Sequence, residues 1–330
     1  MSINFLPAEN ETLQELNESR INIDNRFQKQ KLDLFMSKFE HIIISEWDRD
    51  YPISLPENVH TLELKCAYNF PLSNLPPNIR VLKIKYDYKY PLENLPLNLH
   101  QLEIEYDEFS NKKYINTIAF LPNSIEILNL NGVFNQLSCN LPLRLKQLEF
   151  TYNTFSNEFI EYPQQLEKIS LTAEQLTDCK LNLINLPLSL KSIKLKTDKA
   201  PNLDNILNRL INLEELYINF SLEDNTFSNI PASVKYIYIK NRGNSDNSFN
   251  FLSSSNIKHI HLSTRDSIIN YIPKTLQKIT LYNYHNEIFQ IREKYPHLDI
   301  DIIKNLDIDI ITIRDQEDVL PGFTMKKQSR

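Results

Sequence analysis

A Leu-Pro pair recurs along this chain at a spacing of about twenty residues, and each copy is followed by the same apolar pattern. The pattern reads Leu-Pro-x-Asn-Leu-x-x-Leu-x-Leu, with Ile or Val in place of some leucines. The clearest copies begin at Leu55, Leu75, Leu95, Leu121, Leu141 and Leu186, and weaker ones begin at Tyr162, Ile230 and Ile272. The apolar positions without the proline recur from Phe35, Arg209 and Ser253. About twelve such repeats between residues 35 and 283 predict one solenoid rather than several globular domains.

The end of each repeat alternates apolar and polar residues, as in Leu82-Lys83-Ile84, which is the period of a strand with one buried face. The proline precedes this strand, where its missing N–H costs no ladder hydrogen bond. An asparagine two residues after the proline is expected to hydrogen-bond nearby backbone at this corner; examples are Asn58, Asn78 and Asn98. Stacking the repeats predicts buried columns, one of which is Leu62, Leu82, Leu102, Leu128 and Leu148.

The spacing also predicts how the chain returns between strands. A repeat of about twenty residues leaves little room for a helix, so we expect extended or single-turn returns in the short repeats. The longer stretch from Lys199 to Leu210 places apolar residues three and four apart behind Pro201, which favours a short helix. We divide the chain into an amino-terminal segment or helical cap (1–34), a solenoid (35–300), a carboxy-terminal cap strand (301–314) and a flexible tail (315–330).

Composition narrows the class of protein. The net charge is -6 and basic runs are absent, which argues against a nucleic-acid partner. The three cysteines, Cys66, Cys139 and Cys179, are too scattered for a disulfide framework, as is usual in a reducing compartment. Neither a secretory signal nor a membrane-spanning apolar stretch is apparent. We therefore expect a cytoplasmic protein with no membrane partner.

Motifs for catalysis or cofactor binding are missing from the sequence. Three glycines in the whole chain cannot build a phosphate-binding loop or a nucleophile elbow. His259 and His261 share one strand face, but the neighbouring strands offer Tyr238 and Thr280 rather than a third metal ligand. The pairs Asp299/Asp301 and Asp307/Asp309 are either a carboxylate cluster for a divalent cation or, as we favour, the solvated face of an edge strand. We predict no enzyme activity, no cofactor and no metal site.

Two features resemble known repeat families. The sequence Leu99-x-x-Leu102-x-Ile104 and its copies match the LxxLxL signature of leucine-rich repeats. An aromatic residue seven positions before Leu-Pro resembles the FNIP repeat of amoebae and giant viruses; it is found at Tyr68, Tyr88, Tyr114, Phe134 and Phe155. This resemblance covers roughly residues 52–283 but lacks the usual glycine before Leu-Pro, and at the aromatic position a clear Phe-Asn occurs only at Phe134-Asn135.

The resemblance implies a leucine-rich-repeat array, mainly β or α/β, with a parallel sheet on its concave face. It also implies a protein-binding module, so our first hypothesis is a non-enzymatic scaffold that binds a protein through the strand-lined face. Some FNIP-repeat proteins carry an F-box, and Phe5-Leu6-Pro7-Ala8-Glu9 resembles the start of one. The alternative is therefore a substrate-recognition subunit of a cullin-type ubiquitin ligase with a Skp1-type adaptor as partner.

The register predicts which side chains project from the strand-lined face. In the early repeats Lys83 and Lys85 lie beside Glu103 and Glu105, so we expect lateral neutralisation of charge. The later repeats carry aromatic rings and imidazoles instead, which are typical of protein interfaces, although tyrosine is also a good strand former. We predict a partner-binding patch formed by Tyr217, Tyr236, Tyr238, His259, His261 and Tyr282.

Overall fold

The computed structural model describes residues 20–23, 36–48, 50–85, 88–105, 118, 120–131, 140–152, 161–173, 183–197, 203–219, 229–240, 255–263, 272–282 and 292–303. The chain divides into two compact units, Met1–Leu166 and Glu167–Arg330. We call them the N-terminal unit and the C-terminal unit.

Seven strands are described in the N-terminal unit. They are β1 (Arg20–Ile23), β2 (His41–Ile44), β3 (Thr61–Leu64), β4 (Val81–Lys85), β5 (Gln101–Glu105), β6 (Ile127–Asn131) and β7 (Gln147–Tyr152). Each strand pairs in parallel with the next one along the chain. A parallel sheet whose order equals the sequence order requires one full turn of chain between neighbouring strands, which is the connectivity of a solenoid.

The C-terminal unit has the same construction. Its strands are β8 (Lys168–Ala173), β9 (Ser192–Thr197), β10 (Glu215–Asn219), β11 (Tyr236–Lys240), β12 (His259–Ser263), β13 (Lys278–Tyr282) and β14 (Asp299–Ile303). All of them pair in parallel in chain order. A 3₁₀ turn (Leu183–Asn185) precedes β9, α1 (Asp204–Leu207) precedes β10, and residues 292–294 are helical. The leucine-rich-repeat solenoid predicted from the sequence is confirmed.

The strand register stacks equivalent apolar residues into continuous columns. Leu62, Leu82, Leu102, Leu128 and Leu148 pair in succession across β3 to β7, and none is more than 2% exposed. The C-terminal unit repeats the arrangement, for example with Ile237 and Ile260 in adjacent strands. Each buried aliphatic side chain contributes about 1.5–3 kcal/mol. Because a residue in such a column is covered by its neighbours above and below, no repeat is stable alone.

The proline of each repeat opens a tight turn that leads into the strand. Its carbonyl accepts a hydrogen bond from the N–H three residues later, as from Val59 to Pro56 (3.1 Å) and from Ile79 to Pro76 (3.1 Å). The same turn forms without proline where the Leu213 N–H donates to the Leu210 carbonyl (3.0 Å). Proline therefore favours the turn through its fixed φ angle, but it is not required for the turn.

The polar residue two positions after the proline connects neighbouring repeats. The Asn58 side-chain amide donates to the Phe39 carbonyl and that of Asn78 to the Glu57 carbonyl, both at 2.9 Å. We expected a local hydrogen bond at this corner, whereas both bonds reach the preceding repeat. Similar bonds in other repeats are made by Ser124, Gln165, Asn212, Asn256 and Thr275. Because these bonds satisfy carbonyls outside the strands, they hold the outer corners in register.

Tyr68 and Tyr88 connect repeats through the return segments. Both rings are 1% exposed, and their hydroxyl oxygens accept hydrogen bonds from backbone N–H groups of the preceding repeat. The donors are Ile53 to Tyr68 (2.8 Å) and Leu72 to Tyr88 (2.9 Å). Burial raises the pKa of the Tyr68 hydroxyl to about 12. The other aromatic residues of the series, Tyr114, Phe134 and Phe155, lie outside the described residues.

The returns agree in part with expectation. The segment from residue 65 to 80 returns without a helix, and the predicted helix before Leu210 is present as α1. One strand was not anticipated: β1 lies in the segment that we assigned to an amino-terminal cap, and it pairs with β2. β14 crosses the boundary that we placed between residues 300 and 301. The F-box-like start, Asp307, Asp309 and the tail lie outside the described residues.

Candidate functional site

The outward face of the N-terminal unit is dominated by ion pairs between adjacent strands. The Lys83 ammonium lies 2.9 Å from the Glu103 carboxylate, and that of Lys85 lies 3.0 Å from Glu105. Burial lowers the pKa of Lys85, but the carboxylates around it, Glu105 first, raise it above its usual range. The lateral neutralisation predicted from the sequence is confirmed.

The outward residues of the C-terminal unit form three rows that cross the strands. The first row is Lys168, Ser192, Glu215, Tyr236, His259, Lys278 and Asp299. The middle row is Ser170, Lys194, Tyr217, Tyr238, His261, Thr280 and Asp301. The third row is Thr172, Lys196, Asn219, Lys240, Ser263, Tyr282 and Ile303. The six predicted patch residues thus lie on β10 to β13, but they occupy three rows rather than one.

Three aromatic rings of the middle row lie side by side along the sheet. The Tyr217 and Tyr238 rings are stacked with centroids 4.3 Å apart and planes inclined by 5°. The centroid of the His261 ring is 6.1 Å from that of Tyr238. On the other side of Tyr217, the ammonium of Lys194 on β9 lies 5.1 Å from the Tyr217 ring centroid. Parallel strands are about 4.8 Å apart, so flat side chains in one row naturally stack. The strand register, rather than a loop conformation, therefore positions these rings.

In the first row the rings meet edge to face. Tyr236 and His259 have centroids 5.0 Å apart and planes inclined by 84°. This geometry places the positive edge of one ring against the electron-rich face of the other, which is a favourable aromatic contact. Tyr282 ends β13 in the third row, and its side chain lies outside the described part of the structure.

The patch residues differ in burial, although they were expected to project alike from the face. Tyr217 is only 3% exposed and His261 only 5% exposed. Tyr236, Tyr238 and His259 are half-buried. The difference follows in part from position, because Tyr217 has Lys194 on one side and Tyr238 on the other. Tyr217 and His261 therefore support the patch, while the other three rings present surface to a partner.

Burial controls the charge of the imidazoles. The pKa of His261 is lowered to about 4, mainly by burial and then by His259 and Lys278, while Asp301 opposes the change. The pKa of His259 is also lowered, mainly by burial and then by Lys278 and Lys258. Both side chains are therefore neutral near pH 7, and each ring then offers one hydrogen-bond donor and one acceptor.

Glu215 lies beside the aromatic rows in an environment that disfavours its charge. Burial raises the pKa of its carboxyl group, and a hydrogen bond from Ser192 opposes the change. Its Oε2 atom is buried and has no hydrogen-bond partner among the described residues.

The other chemistry-bearing residues show no assembled site in the described part of the chain. The strand register places His261 between Tyr238 and Thr280, so the adjacent strands supply no further His, Cys, Asp or Glu ligand in this row beside it. Among the described residues, no three His, Cys, Asp or Glu side chains are grouped so that they could hold a metal ion. Burial, with Asp48 and Glu46, raises the pKa of the half-buried Cys66 thiol to about 11, so it is protonated near neutrality. Cys139 and Cys179 lie outside the described residues.

The sequence reasoning missed a line of charges at the amino-terminal ends of the strands. The residues immediately before β6 to β11 form ion pairs with their counterparts on a neighbouring repeat: Glu126 with Lys146 (2.9 Å), Glu167 with Lys191 (3.1 Å) and Glu214 with Lys235 (3.2 Å). The pattern is visible in the sequence once the repeats are aligned by their strands. In the same position on the next repeat, Lys258 is exposed and forms no ion pair with a described residue.

The helices give no indication of a membrane segment. Of those formed by described residues, none has the length and apolar character needed to cross a bilayer.

Comparison with known proteins gives little beyond this geometry. No protein-family model matches the chain, and no curated protein matches it. Among solved structures, YopM from Yersinia enterocolitica WA-314 is 18% identical to this chain with a TM-score of 0.37. The match covers 74% of this chain and 51% of YopM, so the chain spans about half the length of that protein. The fold assignment therefore rests on the parallel strands and their register.

Proposed function

We propose that this protein is a non-enzymatic interaction scaffold that binds a protein partner through the outward strand face of its C-terminal unit. The observation that carries the proposal is the middle row, where Tyr217, Tyr238 and His261 follow one another on three adjacent strands. Leucine-rich-repeat solenoids generally act as binding scaffolds, because each repeat adds surface to one continuous face.

The properties of these rings suit contact with a protein. Tyrosine and neutral histidine combine a large contact area with polar tips, and they lose little side-chain entropy when a partner binds. The strand propensity of tyrosine alone does not explain why aromatic residues occupy these outward positions. The outward positions of β3 to β6 carry no aromatic residue, although the strands have the same geometry. The aromatic residues are thus concentrated on one part of the array.

The test is a variant that removes half-buried rings of the patch and leaves the buried ones in place. Tyr236→Ala combined with Tyr238→Ala should abolish binding of the partner and leave the circular dichroism spectrum unchanged. Partners are first captured from the source cells with the full chain and identified by mass spectrometry. Their affinity is then measured by calorimetry with purified proteins.

The matched control removes two outward side chains from the N-terminal unit. Lys83→Ala combined with Glu103→Ala deletes an ion pair on the same kind of strand face. This control should bind the partner with wild-type affinity. A partner that binds the double tyrosine variant as tightly as the wild type would disprove the proposed site.

We also infer that the repeats are of the FNIP type. What supports this is the position of Tyr68 and Tyr88, seven residues before the Leu-Pro pair, and their buried hydrogen bonds to the preceding repeat. The same structural role in successive repeats would explain why an aromatic residue recurs at this point. The inference predicts that Tyr68→Phe, which deletes only the hydroxyl, lowers the stability of the N-terminal unit by about 1–3 kcal/mol.

The ubiquitin-ligase alternative rests on the F-box-like start alone. It predicts that the chain co-purifies with a Skp1-type adaptor and that deletion of residues 1–19 abolishes this. The deletion stops there because β1 begins at Arg20 and pairs with β2, so a longer one would expose a strand edge. Adaptor binding that survives the deletion would rule out this segment as the adaptor site.

A further inference from the structure

The aromatic rows of the C-terminal unit lie within a basic part of an acidic chain. On the outward positions of β8 to β12 the charged residues are four lysines and one glutamate, namely Lys168, Lys194, Lys196, Lys240 and Glu215. Glu215 is the only acidic residue in this set, and burial raises the pKa of its carboxyl group. The whole chain, by contrast, has a net charge of -6.

The lysines surround the rings closely. Lys194 lies over the Tyr217 ring in the middle row. Lys196 and Lys240 occupy the third row, two residues beyond Lys194 and Tyr238 on the same face. Successive residues on one strand face are about 6.5 Å apart, so both ammonium groups are within reach of a ligand lying on the rings. Lys196 forms no ion pair with a described residue, and neither does Lys258 beside His259.

Apart from Glu215, the acidic residues at the described outward positions of this face are at its far side. Asp299 and Asp301 are on β14, and the Lys278 ammonium is 2.6 Å from the Asp301 carboxylate. That pair largely neutralises itself. A ligand placed over β8 to β12 therefore meets positive potential around a hydrophobic, hydrogen-bonding floor.

We propose that the partner segment bound here is a carboxylate-rich stretch of a protein, with Lys194, Lys196, Lys240 and Lys258 contacting its acidic side chains and the tyrosines its apolar ones. This inference rests on the proposed function, because it names the chemistry of the partner at the same face. Charge complementarity of this kind accelerates association and selects among partners that all offer apolar surface. A basic segment would be rejected at the same place.

The experiment uses a random peptide library displayed on phage and selected on the full chain. Enriched peptides should contain an excess of Asp and Glu next to aromatic or aliphatic residues. Each is then synthesised beside a copy with Asn and Gln in place of Asp and Glu, which keeps the shape and removes the charge. We expect the copy to bind at least tenfold more weakly by fluorescence anisotropy.

A charge variant of the protein gives the second measurement. Lys196→Gln combined with Lys240→Gln should weaken binding of the acidic peptide by about two- to fivefold for each lysine. The matched control is Lys65→Gln combined with Lys85→Gln, which removes the lysine just after β3 and the last outward lysine of β4 in the N-terminal unit and should change nothing. The affinity should also fall as salt rises from 0.1 to 1 M, as the Debye length shrinks from about 10 to about 3 Å.

The outcomes separate this inference from the function on which it rests. Peptides that require Tyr236 and Tyr238 but show no acidic excess, or that bind equally well as amide copies, would overturn the acidic partner and leave the binding face intact. If no enriched peptide depends on these tyrosines, both proposals fail. Competition by a DNA oligonucleotide as effective as by the acidic peptide would show a general anion site and would overturn a protein segment as the ligand.

Discussion

The two units have the same interior but different outward faces. Inside, both stack columns of Leu and Ile that are almost fully buried. Outside, the middle row of the N-terminal unit pairs Lys83 with Glu103, whereas that of the C-terminal unit stacks Tyr217 on Tyr238. In a repeat solenoid the fold dictates the inward positions and leaves the outward ones free to vary. The difference between the outward faces is therefore where function is most readily recognised.

The contrast is confined to the face itself. Ion pairs just before the strands occur in both units, for example between Glu126 and Lys146 and between Glu214 and Lys235. Because these pairs are kept while the adjacent rows change from charged to aromatic, the change in the C-terminal unit is local. This favours a specific patch over a general shift in composition.

The largest expected effect tests whether the interiors are equivalent. Leu102→Ala in the N-terminal unit and Ile239→Ala in the C-terminal unit each empty a fully buried column position. Each should lower the free energy of unfolding by about 2–5 kcal/mol, through lost burial and a residual cavity. Urea unfolding followed by circular dichroism measures both.

The control for this comparison is Lys83→Ala, which removes a partly exposed ion pair and should cost less than about 1 kcal/mol. If Ile239→Ala lowered the free energy of unfolding as little as Lys83→Ala does, the C-terminal unit would lack the close-packed columns of the N-terminal unit.

Most of the fold could be predicted from the sequence because it depends on a short pattern repeated many times. The Leu62 column and the register of the outward residues follow from counting residues between repeats. β1 could not be predicted this way, because no Leu-Pro pair stands about six residues before Arg20–Ile23, where the other repeats have it. Its pairing with β2 identifies it as a strand. The acceptors of the Asn58 and Asn78 hydrogen bonds are also carbonyls of the preceding repeat. They could not be predicted from the residues near each asparagine in the sequence.

The second prediction concerns acid sensitivity, which should be stronger in the C-terminal unit because His261 is buried there. The pKa of His261 is about 4 in the folded chain and near 6.5 when unfolded. The unfolded state therefore binds more protons between these values. The stability that the neutral imidazole contributes is present above pH 6.5 and is lost as pH falls toward 4, by about 3 kcal/mol.

The comparison variant is His261→Phe, which keeps a flat ring in the row and removes the titration. Urea unfolding at pH 7 and pH 4 should show that the variant loses about 3 kcal/mol less than the wild type on acidification. Equal losses in the two proteins would mean that His261 is protonated in the folded state at pH 4 without penalty.

The candidate site was only partly predictable. Counting residues placed the six aromatic and imidazole side chains on consecutive strands. It could not distinguish the buried rings that support the patch from the half-buried rings that can contact a partner. Tyr217 and His261 are buried because of what surrounds them in three dimensions, including side chains from adjacent strands. The lysines of β8 to β12 are visible in the sequence, but the chain as a whole is acidic. Their excess over acidic residues is recognised only when the outward positions of these strands are counted separately.

The smallest expected effect distinguishes the two kinds of outward contact directly. Double-mutant cycles on Tyr217 and Tyr238, each changed to Leu, should give a coupling energy of about 0.5–1.5 kcal/mol from the stacked rings. The corresponding cycle on Lys83 and Glu103, each changed to Ala, should give about 0.2–1 kcal/mol. Urea unfolding of the single and double variants yields both values.

Salt separates these couplings more clearly than their size does. At 1 M salt the Debye length is about 3 Å, so the coupling between Lys83 and Glu103 should fall well below its value at 0.1 M. The coupling between Tyr217 and Tyr238 arises from ring contact and should persist. If the tyrosine coupling were equally sensitive to salt, the stack would be held mainly by the nearby Lys194 charge, and the outward faces of the two units would differ less in physical character than their residues indicate.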